Sequence, residues 1–290
     1  MAGSRKREGQ RPARQKGAAP RRGAPRGGCI EGRRAAAEAL SCGYPVRRAL
    51  VARGLEEDAA MGELVRQLAA AGVPVEWVPR ERLDALSSHG AHQGIVLEAG
   101  AFPYVELADI VAAADASAAS APPAPAPALA ANGSATPALV VVLDHVTDEG
   151  NFGAIVRSAE VVGAAGVVIP AKRAAAVGVG AFKTSAGAVM HLPIAQVPNI
   201  ARALDELKEA GFWVAGASEH AEQVCWDAPM AGRLALVMGS EGDGLSRLVR
   251  ERCDFLVKLP QRGRTESLNV AQASTVLMYE WLRRTRQAGA

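Results

Sequence analysis

Apolar and polar positions divide the chain into two stretches of short alternating elements, separated by a segment with almost no periodicity. From Ile30 onward the pattern predicts helices over residues 33–40, 59–71 and 80–86, and strands over 49–51, 75–78 and 94–98. This is a small α/β domain, assigned to residues 29–102. Residues 112–137 are mostly Ala, Pro, Ser and Gly, and Pro122, Pro123, Pro125 and Pro127 favour extended backbone. The expectation is a linker over 103–137 that leaves little fixed geometry between the units it joins. Beyond Pro137 the pattern predicts strands at 138–143, 167–169, 192–197, 212–215, 234–238 and 255–257. Helices fall at 153–162, 181–189, 200–210 and 245–250, and a terminal helix runs over 267–284 within a second domain, 138–287. Continuous apolar strands separated by helices argue for a mostly parallel sheet covered on both faces. Ligands of such sheets sit beyond the carboxyl ends of the strands, which singles out the loops after Leu143, Met238 and Val257.

Charge adds a third region. The net charge of +3 is unevenly spread: residues 1–27 carry nine Lys/Arg and one Glu, so this tail is +8 and leaves −5 for the rest. Its Arg, Lys, Gly, Pro and Ala bury too little apolar surface to offset chain entropy, so residues 1–28 read as a disordered basic tail. It is either an arm that gathers phosphates or a solubilising tail. Aromatic residues make up 4% of the chain, which argues against base stacking as the main nucleic-acid contact. Cys29, Cys42, Cys225 and Cys253 form no C-x-x-C pair, which fits a reduced cytoplasm better than a zinc site or a secreted disulfide framework. No run resembles a membrane span, and the N-terminus has charge without the apolar core of a secretory signal.

The three singled-out loops are polar and contain glycine. The first, Asp144 to Gly153, leads into a helix with Asn151 at its expected cap and Arg157 further along, both expected to face one cleft. In the second, Gly239-Ser240-Glu241-Gly242-Asp243-Gly244, glycines allow close backbone approach and Glu241 supplies a carboxylate. The third, Leu259 to Asn269, leads from a strand into a helix N-terminus whose free N–H groups suit the polar end of a ligand. Taken singly, these residues read as caps, turn carboxylates and solvated helix positions; the pattern lies in their convergence. His89 and His92 share a polar loop with no third ligand nearby in sequence, so no metal site is expected. Gly178-Val179-Gly180-Ala181-Phe182-Lys183 does not match G-x-G-x-x-G, and there is no G-x-x-x-x-G-K-[ST].

The segments N-F-G-A-I-V-R-S-A-E, V-M-G-S-E-G-D-G-L and L-P-Q-R-G-R-T-E-S-L-N-V-A, in that order, resemble the three motifs of the SpoU-type (TrmH-like) RNA ribose 2′-O-methyltransferases. The likeness spans about residues 138–285. The small domain resembles the family's substrate-binding domain, and His92-Gln93-Gly94 is similar to the subgroup that methylates a guanosine of bacterial large-subunit ribosomal RNA. Gln261-Arg262 departs from the family pattern and bears on substrate identity.

The resemblance implies a SPOUT fold, a parallel sheet whose last segment is threaded as a trefoil knot. Neither periodicity nor composition reveals a knot. It also implies S-adenosylmethionine as cofactor, held by the backbone around Gly239, Leu259 and Leu268, and a homodimer acting on RNA. Asn151, Arg157, Glu241, Ser267 and Asn269 would form the catalytic group. Since a guanidinium stays protonated in proteins, Arg157 is expected to bind the target phosphate or stabilise charge on the ribose oxygen. Glu241 either orients basic side chains or takes a proton. The rival readings are a transfer-RNA substrate and an RNA-binding module without catalysis.

Overall fold

A computed structural model describes residues 28–87, 90–120, 136–264 and 267–288. The basic tail up to residue 27, His89 and residues 121–135 of the expected linker lie outside the described residues. The first domain consists of β1 (Cys29–Glu31), α1 (Arg33–Ser41), β2 (Val46–Ala52), α2 (Ala59–Ala70), β3 (Val75–Val78), α3 (Arg80–Leu86) and β4 (Ile95–Ala99). Its sheet order is β1-β4-β2-β3, with β2 and β3 parallel and the other pairs antiparallel. Strand β1 has no signal of its own. Three residues beside a glycine pair with Glu98, Leu97 and Val96, so β4 dictates it.

Helix α4 (Leu107–Ser120) corrects the linker expectation. Leu107, Ile110 and Ala114, at helical spacing, are buried against the second sheet. Burying Leu107 and Ile110 contributes roughly 1.5–3 kcal/mol each, enough to hold an Ala-rich segment that composition alone leaves open. Asp115 on α4 pairs with the buried Arg233 at 2.8 Å, and Arg233 lies over the Phe212 ring.

The second domain continues with β5 (Ala138–Leu143), α5 (Glu149–Val161), β6 (Gly166–Pro170), α6 (Val179–Thr184), a 3-10 turn (Ala188–Met190), β7 (Ile194–Val197), α7 (Ile200–Glu209), β8 (Trp213–Ala217), β9 (Arg233–Met238), α8 (Arg247–Arg252), β10 (Phe255–Val257) and α9 (Val270–Ala288). All neighbours in the order β10-β8-β9-β5-β6-β7 are parallel. Alternate residues of β5 face opposite layers. Leu139, Val141 and Leu143 share one hydrophobic cluster with residues of α5, α6 and α9, while Val140 and Val142 share another with residues of α4, α7 and α8. The helix expected over 181–189 stops at Thr184 because Ala186 and Gly187 take left-handed backbone, with φ of 49° and 82°.

The two domains share a core, contrary to the loose geometry expected of them. Tyr44 packs edge-on against Phe182 with ring centroids 5.9 Å apart, Phe102 contacts both Tyr44 and Tyr104, and the Tyr104 hydroxyl accepts from Val177 N–H at 3.0 Å. Among the described residues, no helix is long and apolar enough to cross a membrane, and no group of three or more His, Cys, Asp or Glu is arranged to hold a metal ion.

Candidate active site

The loops after β5, β9 and β10 meet at one end of the sheet. The first is held from below by Asp144, a buried carboxylate. Its Oδ2 accepts Ser246 N–H at 2.7 Å and its Oδ1 accepts from His145 Nδ1 at 2.6 Å, while its own N–H donates to Met238 O. Asp144 thereby ties the β5 loop to both ends of the β9 loop. Asp148, not Asn151, caps α5, accepting Asn151 N–H at 2.7 Å. Asn151 is thus inside the first turn with its side chain free to act elsewhere.

The β9 loop folds back as a tight hairpin, with Ser240 and Gly244 exchanging main-chain hydrogen bonds at 3.0 and 3.1 Å. Gly239 makes this possible, because a Cβ there would drive into the backbone of Gly244 and Leu245. Glu241 sits on the hairpin. The β10 loop ends at Asn269, which caps α9: its Oδ1 accepts from Ala271 N–H at 2.9 Å and Gln272 N–H at 3.3 Å. The expected helix start at 267 therefore falls three residues early.

This cap fixes the orientation of the site. With Asn269 Oδ1 committed to α9, Nδ2 must face outward, and it donates to Asn151 Oδ1 at 2.9 Å and Glu241 Oε1 at 3.0 Å. Asn151 must then turn its own Nδ2 to Glu241 Oε1, as observed. One carboxylate oxygen thus collects two amide donors, and three loops far apart in sequence close on it. The α5–α9 pair is also tied further along, where Ser158 Oγ and Thr275 Oγ1 lie 2.7 Å apart.

Beside this triangle is a cavity of about 350 Å³ at the ends of β8, β9 and β10. Met238, Leu245, Val257, Leu259 and Leu277 give it apolar walls, while Gly239, Glu241, Ser267, Leu268 and Asn269 line its other parts. Of the expected group, Asn151, Glu241 and Asn269 are hydrogen-bonded together. Ser267 lines the cavity and is exposed. Arg157 stands apart: it is exposed on α5 with no hydrogen bond or ion pair among the described residues. Six residues turn an ideal helix by about 240°, so Asn151 and Arg157 do not stack on one face of α5. The sequence reading does not single out the supports Asp144 and Asp148. Asp144 does leave a signal, as an acid directly following an uninterrupted apolar strand.

Cys253, Cys225 and Cys29 are not poised as nucleophiles: burial pushes the Cys253 thiol up to about 12, and burial also raises Cys225 and Cys29. His92 is buried with both ring nitrogens engaged. Its Nδ1 accepts Gly94 N–H at 3.0 Å, so Nε2 carries the proton shared with Asp84 at 2.9 Å. The His92-Gln93-Gly94 stretch is therefore a built turn, and Gln93 also receives Arg33 N–H through Oε1.

The family profile described as the SpoU rRNA Methylase family matches residues 138–279, and that described as RNA 2′-O ribose methyltransferase substrate binding matches residues 29–105. An uncharacterized tRNA/rRNA methyltransferase of Mycolicibacterium vanbaalenii is 38% identical over 259 residues, covering 89% of this chain and 77% of that one. YacO of Bacillus subtilis, named for the TrmH family of tRNA/rRNA methyltransferases, is 39% identical over 218 residues, covering 75% of this chain and 80% of its own. Among solved structures, the SpoU methyltransferase AviRb from Streptomyces viridochromogenes, in complex with AdoMet, superposes with a TM-score of 0.72 at 26% identity, covering 90% of this chain and 91% of that one. With both domains matched and most of the length of these relatives covered, the chain belongs to the SpoU rRNA methylase family and is an RNA methyltransferase.

Proposed function

We propose that this protein methylates a ribose 2′-hydroxyl in RNA, at a guanosine of bacterial large-subunit ribosomal RNA, with S-adenosylmethionine as cofactor. The observation that carries the reading is the Asn151–Glu241–Asn269 triangle beside a cavity at the carboxyl end of a parallel sheet. When bound, S-adenosylmethionine supplies a sulfonium methyl for transfer. The cavity fits such a cofactor: it has the size of a small-ligand site, apolar walls for an aromatic base, and main-chain polar groups at Gly239, Leu259 and Leu268.

In-line transfer to a hydroxyl depends on alignment and on exclusion of water. Asn151, Glu241 and Asn269 hold the loops in one arrangement, and Ser267 offers a hydroxyl at the cavity edge. A guanidinium makes a poor base, so the hydroxyl proton is given another acceptor. With no hydrogen bond or ion pair among the described residues, Arg157 keeps its whole fork of donors for the target phosphate or for charge developing on the ribose oxygen, and the proton passes to phosphate or water.

Val161 lies one turn beyond Arg157 and is 60% exposed, and α9 exposes Val276 and Tyr279. This apolar surface supports a homodimer built on α5 and α9. The reading also carries the trefoil knot. The edge strand β10 is followed by a chain that returns past the β9 hairpin so that α9 packs on α5.

Mapping ribose methylation in RNA from cells lacking the protein tests the proposal, with loss of one 2′-O-methylguanosine in large-subunit ribosomal RNA expected. A loss confined to transfer RNA would move the substrate. Failure of the pure protein to bind S-adenosylmethionine in calorimetry would favour a non-catalytic RNA-binding module. Arg157→Lys keeps the charge and loses the fork, so methyl incorporation should fall at least about ten-fold. Near-wild-type turnover would discard the role given to Arg157.

A further inference from the structure

The run Gly178-Val179-Gly180 matches no nucleotide-binding motif, yet it is shaped around one side chain. Glu149, in the first turn of α5, accepts Gly180 N–H through Oε2 at 3.0 Å. A Cβ at Gly178 would come within 2.9 Å of Glu149 Oε1, and one at Gly180 would overlap Oε2. Thr184 donates to Gly180 O at 2.8 Å, with Glu149 O 3.4 Å from the same hydroxyl. The carboxylate therefore fills the space that side chains at 178 and 180 would need. Among the described residues it makes no ion pair, so its partner is main chain alone.

The first turn of a helix has N–H groups without intrahelical partners and is held by whatever its side chains reach. Just ahead of Asn151 these are the Asp148 cap and this contact. We infer that Glu149 is a positioning residue for methyl transfer: docked on the 178–180 turn, it sets where α5 presents the Asn151 amide to Glu241 and Asn269. This rests on the methyltransferase reading above.

The test uses the full chain and four variants: Glu149→Ala, Gly180→Ala, the double variant and Glu149→Gln. Gly180 lies outside the left-handed region, so alanine suits its backbone, and the new Cβ overlaps the flexible carboxylate end of Glu149, with Glu149 Cβ 3.1 Å away. Each single alanine variant should lose about ten-fold in kcat, the scale expected for a small misplacement. The double variant should fall no further, because one contact cannot be lost twice. Glu149→Gln keeps an acceptor and should retain at least about half of kcat. Calorimetric affinity for S-adenosylmethionine should stay within about two-fold of wild type and the melting midpoint within about 2 °C.

Wild-type kcat in Gly180→Ala, losses that multiply in the double variant, or an effect confined to KM or to the midpoint would overturn the inference alone. A wild-type chain that transfers no methyl to RNA would overturn the proposed function, and this inference with it.

Discussion

Asn269 performs two tasks with the two ends of one amide, and substitutions can separate them. Asn269→Ser keeps an oxygen to cap α9 and removes the donor to Asn151 and Glu241. Asn269→Asp keeps the cap as well, and sets a carboxylate about 3 Å from Glu241 Oε1. Asn269→Ala loses both tasks. Cap loss costs about 1 kcal/mol, which lowers the melting midpoint of a protein of this size by roughly 2–4 °C. The alanine variant should therefore melt lower than the serine variant by about that amount. For turnover, each exposed hydrogen bond is worth about 1 kcal/mol, and two unit charges 3 Å apart in water repel by about 1.4 kcal/mol. The aspartate variant therefore forfeits about 3 kcal/mol of the arrangement, or at least about a hundred-fold in rate if that arrangement is the one that reacts. The serine variant forfeits about 2 kcal/mol and roughly thirty-fold. Single-turnover methyl incorporation from labelled cofactor, paired with thermal unfolding, reads both quantities. An aspartate variant within three-fold of wild type, or a serine variant as unstable as alanine, would refute the division of labour.

Three other outcomes follow from the supports around the site. Asp144→Ala strands Ser246 N–H beneath the hairpin and should cost about 2–3 kcal/mol, read as a lower urea midpoint at unchanged slope. Gly153→Ala brings a Cβ within 2.6 Å of Ala181 O, between two packed helices, and should destabilise by about 1–3 kcal/mol by the same measurement. Hydrogen bonds from Arg283 hold the Glu280 carboxyl below the ordinary glutamate range, against burial and with help from Arg284. A lowered native value contributes stability above the unfolded glutamate value and loses it as pH falls through the native one. Glu280→Gln should therefore be less stable than wild type at pH 7, with the gap closing below about pH 4; a gap that persists into acid would exclude this linkage.

Much of the second domain was legible because its strands are uninterrupted apolar runs and its site loops are the polar, glycine-containing stretches between them. What escaped were features set by partners distant in sequence. Asp148 and Asn151 are both capping residue types three positions apart, and only the main-chain contact shows which one starts α5. Leu107, Ile110 and Ala114 do have helical spacing, but the alanines around them and the prolines beyond obscured it. The docking of the domains depends on Tyr44 meeting Phe182, a contact between residues with no mark of pairing in the chain. Arg157 is the reverse case. Its motif is plain in the sequence, yet it joins none of the triangle's hydrogen bonds, and a six-residue step does not return to the same helix face.

Since Asn269 points into the site only while α9 is wound, competence is tied to the folding of the last helix. A nascent chain has every strand of the sheet before it has the residue that seats Asn151 and Glu241 together. Partly made or frayed molecules would thus retain a sheet and much of a cavity without the closed triangle, and on the proposed role of that triangle immature protein would neither spend cofactor nor mark RNA.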